Sequence, residues 1–200
     1  MSGTRVVLFD LGGVLVRLGG VAALQDLAGM ADETEVWSRW LTCDWVRLFE
    51  RGGCSASDFA TGVVTDWRLP ISSEAFLERF RRWPAGLYEG ALELIESVRR
   101  QAPVGCLSNT NGLHWDVMQE WGLASAFDHT FLSYRMGLVK PDRELFEQVA
   151  RALGVAAPQV IFLDDNAINV DQAAIAGFDA WQVRGIDGAR RALLDRGFRV

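Results

Sequence analysis

The chain reads most clearly where apolar residues run without a break. Val6–Phe9 is a β-favouring run closed by Asp10 and the Gly12-Gly13 pair, the pattern of a strand covered on both faces. Runs of the same kind recur at Val104–Leu107, His129–Leu132, Val160–Leu163 and Phe178–Val183. Between them, apolar positions return at helical spacing. Leu92, Ile95 and Val98 share one helix face, as do Leu145, Val149 and Leu153, and the Ala/Ile-rich stretch Asn166–Ala176 closes at Gly177. Short strands alternating with helices predict βαβ units, hence an α/β fold on a doubly wound parallel sheet.

The alternation stops between residues 18 and 86. That stretch offers helices instead, at Thr34–Leu41, Trp45–Glu50, Ser57–Val64 and Ser73–Arg82. Ser55 or Ser57 is a candidate cap for the third, and Pro70/Ser72 is a start signal for the fourth. The stretch closes at Trp83-Pro84-Ala85-Gly86. The expected division is a core of residues 1–17 and 86–200, interrupted by an all-helical cap at 18–85. Five of the eight tryptophans fall in that insert, where bulky rings give a short segment a core of its own. Trp37, Trp40 and Trp45 have roughly helical spacing, which favours packing over stacking on a substrate.

Composition narrows the function. Two hundred residues suit one domain with an insertion, and the 50% hydrophobic and 23% charged residues exclude a disordered chain. The net charge is −6 and basic residues occur as scattered singles and pairs, so there is no footprint for nucleic acid. No apolar run approaches the ~20 residues of a membrane span, and Val6–Phe9 is too short for a leader. Cys43, Cys54 and Cys106 are odd in number and lack metal-ligand spacing, which reads as reduced thiols and a cytoplasmic location.

In an open parallel sheet, ligands bind beyond the carboxyl ends of the strands. Three predicted strands end in residues suited to phosphate and metal chemistry: Phe9-Asp10-Leu11-Gly12-Gly13, Leu107-Ser108-Asn109-Thr110-Asn111 and Leu163-Asp164-Asp165-Asn166. Between the last two lies Met136-Gly137-Leu138-Val139-Lys140-Pro141-Asp142. Singly, each piece reads as an ordinary turn, helix cap or surface lysine. Turn chemistry does not account for all four occurring in this order at the ends of one sheet.

These four segments resemble the ordered motifs of the haloacid dehalogenase superfamily of phosphohydrolases, over the whole chain and with a helical cap between the first two. Leu-Ser-Asn-Thr-Asn, Met-Gly-Leu-Val-Lys-Pro and Asp-Asp-Asn-Ala-Ile-Asn-Val are also similar to the bacterial alpha-D-glucose-1-phosphate phosphatase subgroup. The resemblance implies a phosphatase acting on a small-molecule phosphate ester, possibilities including a sugar phosphate, with Asp10 as nucleophile and an aspartyl-phosphate intermediate. It implies Mg²⁺ on Asp10, the Gly12 carbonyl and Asp165, with Asp164 and Asn169 in or near the outer coordination layer. Lys140 would neutralise charge on nucleophile and phosphate, while Ser108 and Asn109 donate to phosphoryl oxygens. Arg51, in Glu50-Arg51-Gly52-Gly53, is the candidate substrate contact from the cap, against an equal reading as a solvated helix end. Asn111 and His114 are further candidates, with a structural role favoured for His114.

Gly12 departs from the family pattern, in which most phosphatases carry an acid/base aspartate two residues after the nucleophile. Losing general acid–base help costs typically ~10²–10⁴-fold. The glucose-1-phosphate subgroup resembles this chain in having glycine there, and an anomeric oxygen leaves with less need of a proton. Two other readings stay open: a catalytically weak binding or regulatory protein, and a 2-haloacid dehalogenase. The first motif of such dehalogenases resembles Asp-x-Tyr-Gly-Thr, unlike this chain.

Overall fold

The computed structural model describes residues 5–200, so the first four residues of the expected core segment lie outside the described residues. Among the described residues seven strands form: β1 (Val6–Phe9), β2 (Val16–Leu18), β3 (Pro84–Leu87), β4 (Val104–Ser108), β5 (His129–Leu132), β6 (Val160–Asp164) and β7 (Asp179–Gln182). Five make one parallel sheet in the order β5-β4-β1-β6-β7. From β1 the order grows outward through β4 and β5, then returns to β6 and β7. β1 therefore sits at the point where the winding reverses, the crevice in which such sheets bind ligands.

Both faces of the sheet are covered. Val7 and Phe9 of β1 join a cluster with Leu94 and Val98 of α6 (Ala91–Arg99), Trp115 of α7 (Gly112–Glu120), Leu123 of α8 (Leu123–Ala126) and Leu193 of α12 (Gly185–Leu194). Val6 and Leu8 point the other way, against Phe146 of α10 (Arg143–Leu153) and Ala173 of α11 (Ala167–Ile175). This is the period-2 alternation of a strand buried on both sides. A short helix, α9 (Ser133–Met136), leads into the Lys140 loop. On α6 the expected face is shifted: Leu94, Ile95 and Val98 are buried, while Leu92 is exposed. An Ile/Leu-rich helix satisfies several spacings, and only packing chooses among them.

Between β2 and β3 run five helices: α1 (Val21–Ala28), α2 (Glu33–Thr42), α3 (Asp44–Glu50), α4 (Ala56–Trp67) and α5 (Ser73–Phe80). Asp32, Ser55 and Ser72 cap α2, α4 and α5 through side-chain oxygens on the backbone N–H three residues on. These helices bury their own core, separate from the two beside the sheet. Trp40 is its hub, with ring centroids 4.6 Å from Trp83, 5.7 Å from Phe80, 6.0 Å from Trp67 and 6.2 Å from Phe59. Trp45 packs so closely on Gly62 that a Cβ there would lie 2.1 Å from the indole. The sequence did not signal the antiparallel pair β2–β3. Pro84 and Gly86 read as breakers, yet a two-stranded ribbon has free edges that tolerate both. The expected boundaries at 17/18 and 85/86 fall inside this ribbon.

His114 fastens the helical bundle to the core. Its Nε2–H donates to the Phe80 carbonyl at 2.7 Å, its ring lies 4.2 Å from the Phe80 ring, and its Nδ1 lies 3.3 Å from Asn111 Nδ2. Asn111 caps α7, its Oδ1 accepting from His114 N at 3.1 Å. Both residues thus carry structural contacts, and both also border the cavity described below. Burial lowers the imidazole from 6.5 to about 4, against the opposing pull of the Phe80 carbonyl. A depressed histidine contributes stability that is fully present above 6.5 and is lost as pH falls through about 4. The stability of the wild type relative to His114→Gln should accordingly fall by roughly 3 kcal/mol over that interval, measured by denaturant unfolding at a series of pH values. Parallel pH profiles would contradict the buried neutral imidazole.

Candidate active site

The polar residues gather where β1, β4 and β6 end. Asp10 follows β1, Ser108 closes β4, Asp164 closes β6 and Asp165 follows it. Lys140 enters from the loop before α10 with its side chain only 1% exposed. Its Nζ donates to Asp164 Oδ2 at 2.6 Å and to the Leu107 carbonyl at 3.1 Å, and lies 3.0 Å from Asp10 Oδ1. The contact with Asp10 is an ion pair without hydrogen-bond alignment, leaving Asp10 Oδ1 buried and unsatisfied. Asp164 is wholly buried and also accepts from Asn166 N at 2.8 Å and from Asn169 Nδ2 at 3.1 and 3.2 Å.

The charges explain the protonation equilibria. Burial pushes Asp10 up to about 7; Lys140 pulls it down, and Asp164 and Asp165 push it further up. Asp165 rises to about 6, chiefly through burial and then through Asp164. Burial opposes the charge on Lys140, but Asp10 and Asp164 together outweigh it and hold the ammonium above its usual range. Asp10, Asp164 and Asp165 bring carboxylate oxygens within 4.8 Å of one another. When all are ionised, three carboxylates against one ammonium leave two negative charges. That surplus, hard oxygen donors and the unsatisfied Asp10 Oδ1 suit a divalent cation such as Mg²⁺.

Glycine is required beside this cluster. Gly13 has φ +72°, and a Cβ on it would sit 2.2 Å from Asp165 Oδ2. At Gly12 an added Cβ would meet Leu18 Cδ1 at 3.1 Å, so Leu18 fills the space into which a side chain there would point.

A cavity of about 410 Å³ opens on the cluster. Asp10, Ser108, Lys140 and Asp165 line one side; Trp37, Trp40, Leu41 and Phe80 of the helical bundle line the other, together with Glu50. Asn109 also borders it, but its carboxamide is engaged elsewhere: Oδ1 accepts from Lys140 N at 2.8 Å, and Nδ2 donates to the Lys140 carbonyl at 3.0 Å. The expected phosphate donor thus clamps the backbone of Lys140. Arg51 does not line the cavity; it pairs with Asp142, as does Arg47 at 2.9 Å, so it ties α3 to the loop beyond Lys140. Its charge finds a better partner in a half-buried carboxylate than in the open cavity. Arg184, just past β7, lines the cavity and was missed. The strand-end rule that found the other groups would have found it too.

Comparison with known proteins agrees with this architecture. The family model for haloacid dehalogenase-like hydrolases matches residues 4–177. The D-ribitol-5-phosphate phosphatase of Bacteroides thetaiotaomicron is 26% identical over 188 residues, covering 88% of this chain and 90% of that protein. The sesquiterpene phosphatase astK of Aspergillus oryzae is 30% identical over 185 residues, covering 86% of each chain. Among solved structures, the HAD family enzyme bt-2542 of Bacteroides thetaiotaomicron, in complex with magnesium and inorganic phosphate, superposes with a TM-score of 0.72. At 23% identity, covering 91% of this chain and 95% of that one, it is a likeness of fold. Because the family match runs from the first strand through the β6 acids and α11, the chain belongs to the haloacid dehalogenase-like hydrolases.

Proposed function

We propose that the chain is a Mg²⁺-dependent phosphomonoester hydrolase acting on a small phosphorylated metabolite, with sugar phosphates among the candidates. The observation that carries this reading is the Asp10–Lys140–Asp164–Asp165 cluster beside a cavity at the reversal point of the sheet. A volume of about 410 Å³ takes a metabolite rather than a polymer. The phosphatase activities named for the two curated relatives support the same reaction class.

In this reading residues 18–85 act as the cap, which excludes water from the strand ends. Asp10 attacks phosphorus in line and becomes the aspartyl-phosphate, which water then hydrolyses. Lys140 stays charged throughout and offsets the approach of an anionic carboxylate to an anionic ester. Ser108, whose hydroxyl has no hydrogen-bond partner among the described residues, donates to a phosphoryl oxygen. Asp10, the Gly12 carbonyl and Asp165 would hold Mg²⁺, with Asp164 and Asn169 behind them. The ion would supply charge neutralisation at the phosphate. The paired acids at 164 and 165 speak against a dehalogenase, which needs no metal.

The test is phosphate release from a panel of small esters, hexose 1- and 6-phosphates included. Wild-type protein with Mg²⁺ should turn over at least one ester, chelation should stop it, and restored Mg²⁺ should recover it. Asp10→Asn should lower the rate by ~10³-fold or more, as removal of a nucleophile does. An Asp10→Asn protein as active as the wild type rejects Asp10 as nucleophile. No turnover across the panel by the wild type points to the binding or regulatory reading.

A further inference from the structure

In-line displacement of a simple alcohol from phosphorus needs a proton delivered to the leaving oxygen, on the side opposite the nucleophile. A base is later needed on that same side for the incoming water. Gly12 offers neither, and Leu18 occupies the space its side chain would enter. The groups lining the cavity narrow the choice. Asp10 is the nucleophile in the proposed reading, and Asp165 faces Gly13 beside it. Lys140 is locked between two carboxylates, both nitrogens of His114 are engaged, and Arg184 does not release a proton. Glu50 is left.

Glu50 is the last residue of α3, and three contacts hold that helix end over the core. Arg47 and Arg51, on either side of Glu50, both pair with Asp142, two residues from Lys140. Gly52 then turns with φ +71°, so close to the core that a Cβ on it would lie 2.6 Å from the Tyr134 carbonyl. The Glu50 carboxyl lines the same cavity as Asp10, and no hydrogen bond or ion pair engages it among the described residues. A carboxyl carried on an anchored helix end, without a structural partner of its own, is free to exchange protons with whatever occupies the cavity.

Resting on the phosphatase reading, we propose that Glu50, reaching down from the helical bundle, is the general acid and base of the reaction, doing the work that position 12 cannot. In the first step the Asp10–phosphorus bond forms and the bond from phosphorus to the leaving oxygen breaks. That oxygen takes the proton of the Glu50 carboxyl and departs as the alcohol. In the second step the Glu50 carboxylate takes a proton from water as the water oxygen bonds to phosphorus. The Asp10–phosphorus bond breaks, and Asp10 carboxylate, inorganic phosphate and protonated Glu50 are restored.

The surroundings suit this exchange. Burial pushes Glu50 up to about 7; Lys140 and, more weakly, Arg47 pull it down, while Asp10 pushes it up. Both protonation states are then populated near neutral pH, where a group that must act first as acid and then as base works best. An acid from the bundle also removes the need for an acidic leaving group such as an anomeric oxygen.

The test compares wild type, Glu50→Gln and Glu50→Asp on benzyl phosphate, whose alkoxide needs a proton, and 4-nitrophenyl phosphate, whose phenolate does not. Glu50→Gln should lose ~10²–10⁴-fold on benzyl phosphate. On 4-nitrophenyl phosphate it should give a burst of one nitrophenolate per active site, with the phosphoryl group trapped on Asp10 by acid quench and seen by mass spectrometry. Glu50→Asp, a shorter acid, should exceed Glu50→Gln on benzyl phosphate. Equal losses on both esters without a burst, equal benzyl phosphate rates for the Asp and Gln variants, or an undiminished Glu50→Gln would each overturn the proposal and leave the phosphatase reading standing. A wild type inactive on both esters and on the sugar phosphates would overturn that reading, and this proposal with it.

Discussion

The buried ammonium of Lys140 is the constraint around which the molecule is arranged. Taking one charge out of water costs several kcal/mol, and the cost is offset only where opposite charges and hydrogen bonds surround it. Here Asp164 and the Leu107 carbonyl accept from Nζ, and Asp10 lies beside it at ion-pair distance. Those groups stand at the ends of three adjacent strands, β4, β1 and β6. The lysine can be satisfied only when the strands are in register and the loop bearing it is clamped by Asn109. The same contacts leave one Asp10 oxygen without a hydrogen bond, in a group of three carboxylates whose charge one ammonium does not balance, a surplus that a divalent cation would offset.

The loop that carries Lys140 also receives the helical bundle. Asp142 takes both Arg47 and Arg51, and the Phe80 carbonyl takes His114. These two fastenings tie the bundle that carries Trp37, Trp40 and Phe80 to the core that carries the carboxylates. The tryptophans contribute at two levels. Trp40 and Trp83 give five short helices a core, while Trp37, only partly buried, presents a face to the cavity. The ion pairs to Asp142 are partly solvated, so their contribution to stability is modest; what they add is position.

Much of the site was legible in the sequence because strand ends carry a short-range signature. An apolar run followed at once by Asp10, Ser108 or Asp164 locates the residue without knowledge of the rest of the fold, and the family resemblance supplied the order. What stayed hidden depends on partners distant in sequence. The β2–β3 ribbon pairs residues 16–18 with 84–87, and Pro84 and Gly86 disguised it. Arg51 and Glu50 look alike as a charged helix end; only the presence of Asp142 draws the arginine away and leaves the glutamate over the cavity. Asn109 sits in a segment that resembles a phosphate-binding motif, yet its amide is spent on the Lys140 backbone, a contact across 31 residues that spacing does not reveal.

The dependence of the fold on the central lysine is open to direct measurement. Lys140→Met keeps the length of the side chain and removes the charge, leaving the fully buried Asp164 and its neighbour Asp10 uncompensated. Denaturant unfolding at neutral pH should show a loss of about 3–5 kcal/mol relative to the wild type, the usual cost of removing one partner from a buried ion pair. A Lys140→Met protein as stable as the wild type, or more stable, would contradict the account, since the strand ends would then not need the ammonium that joins them.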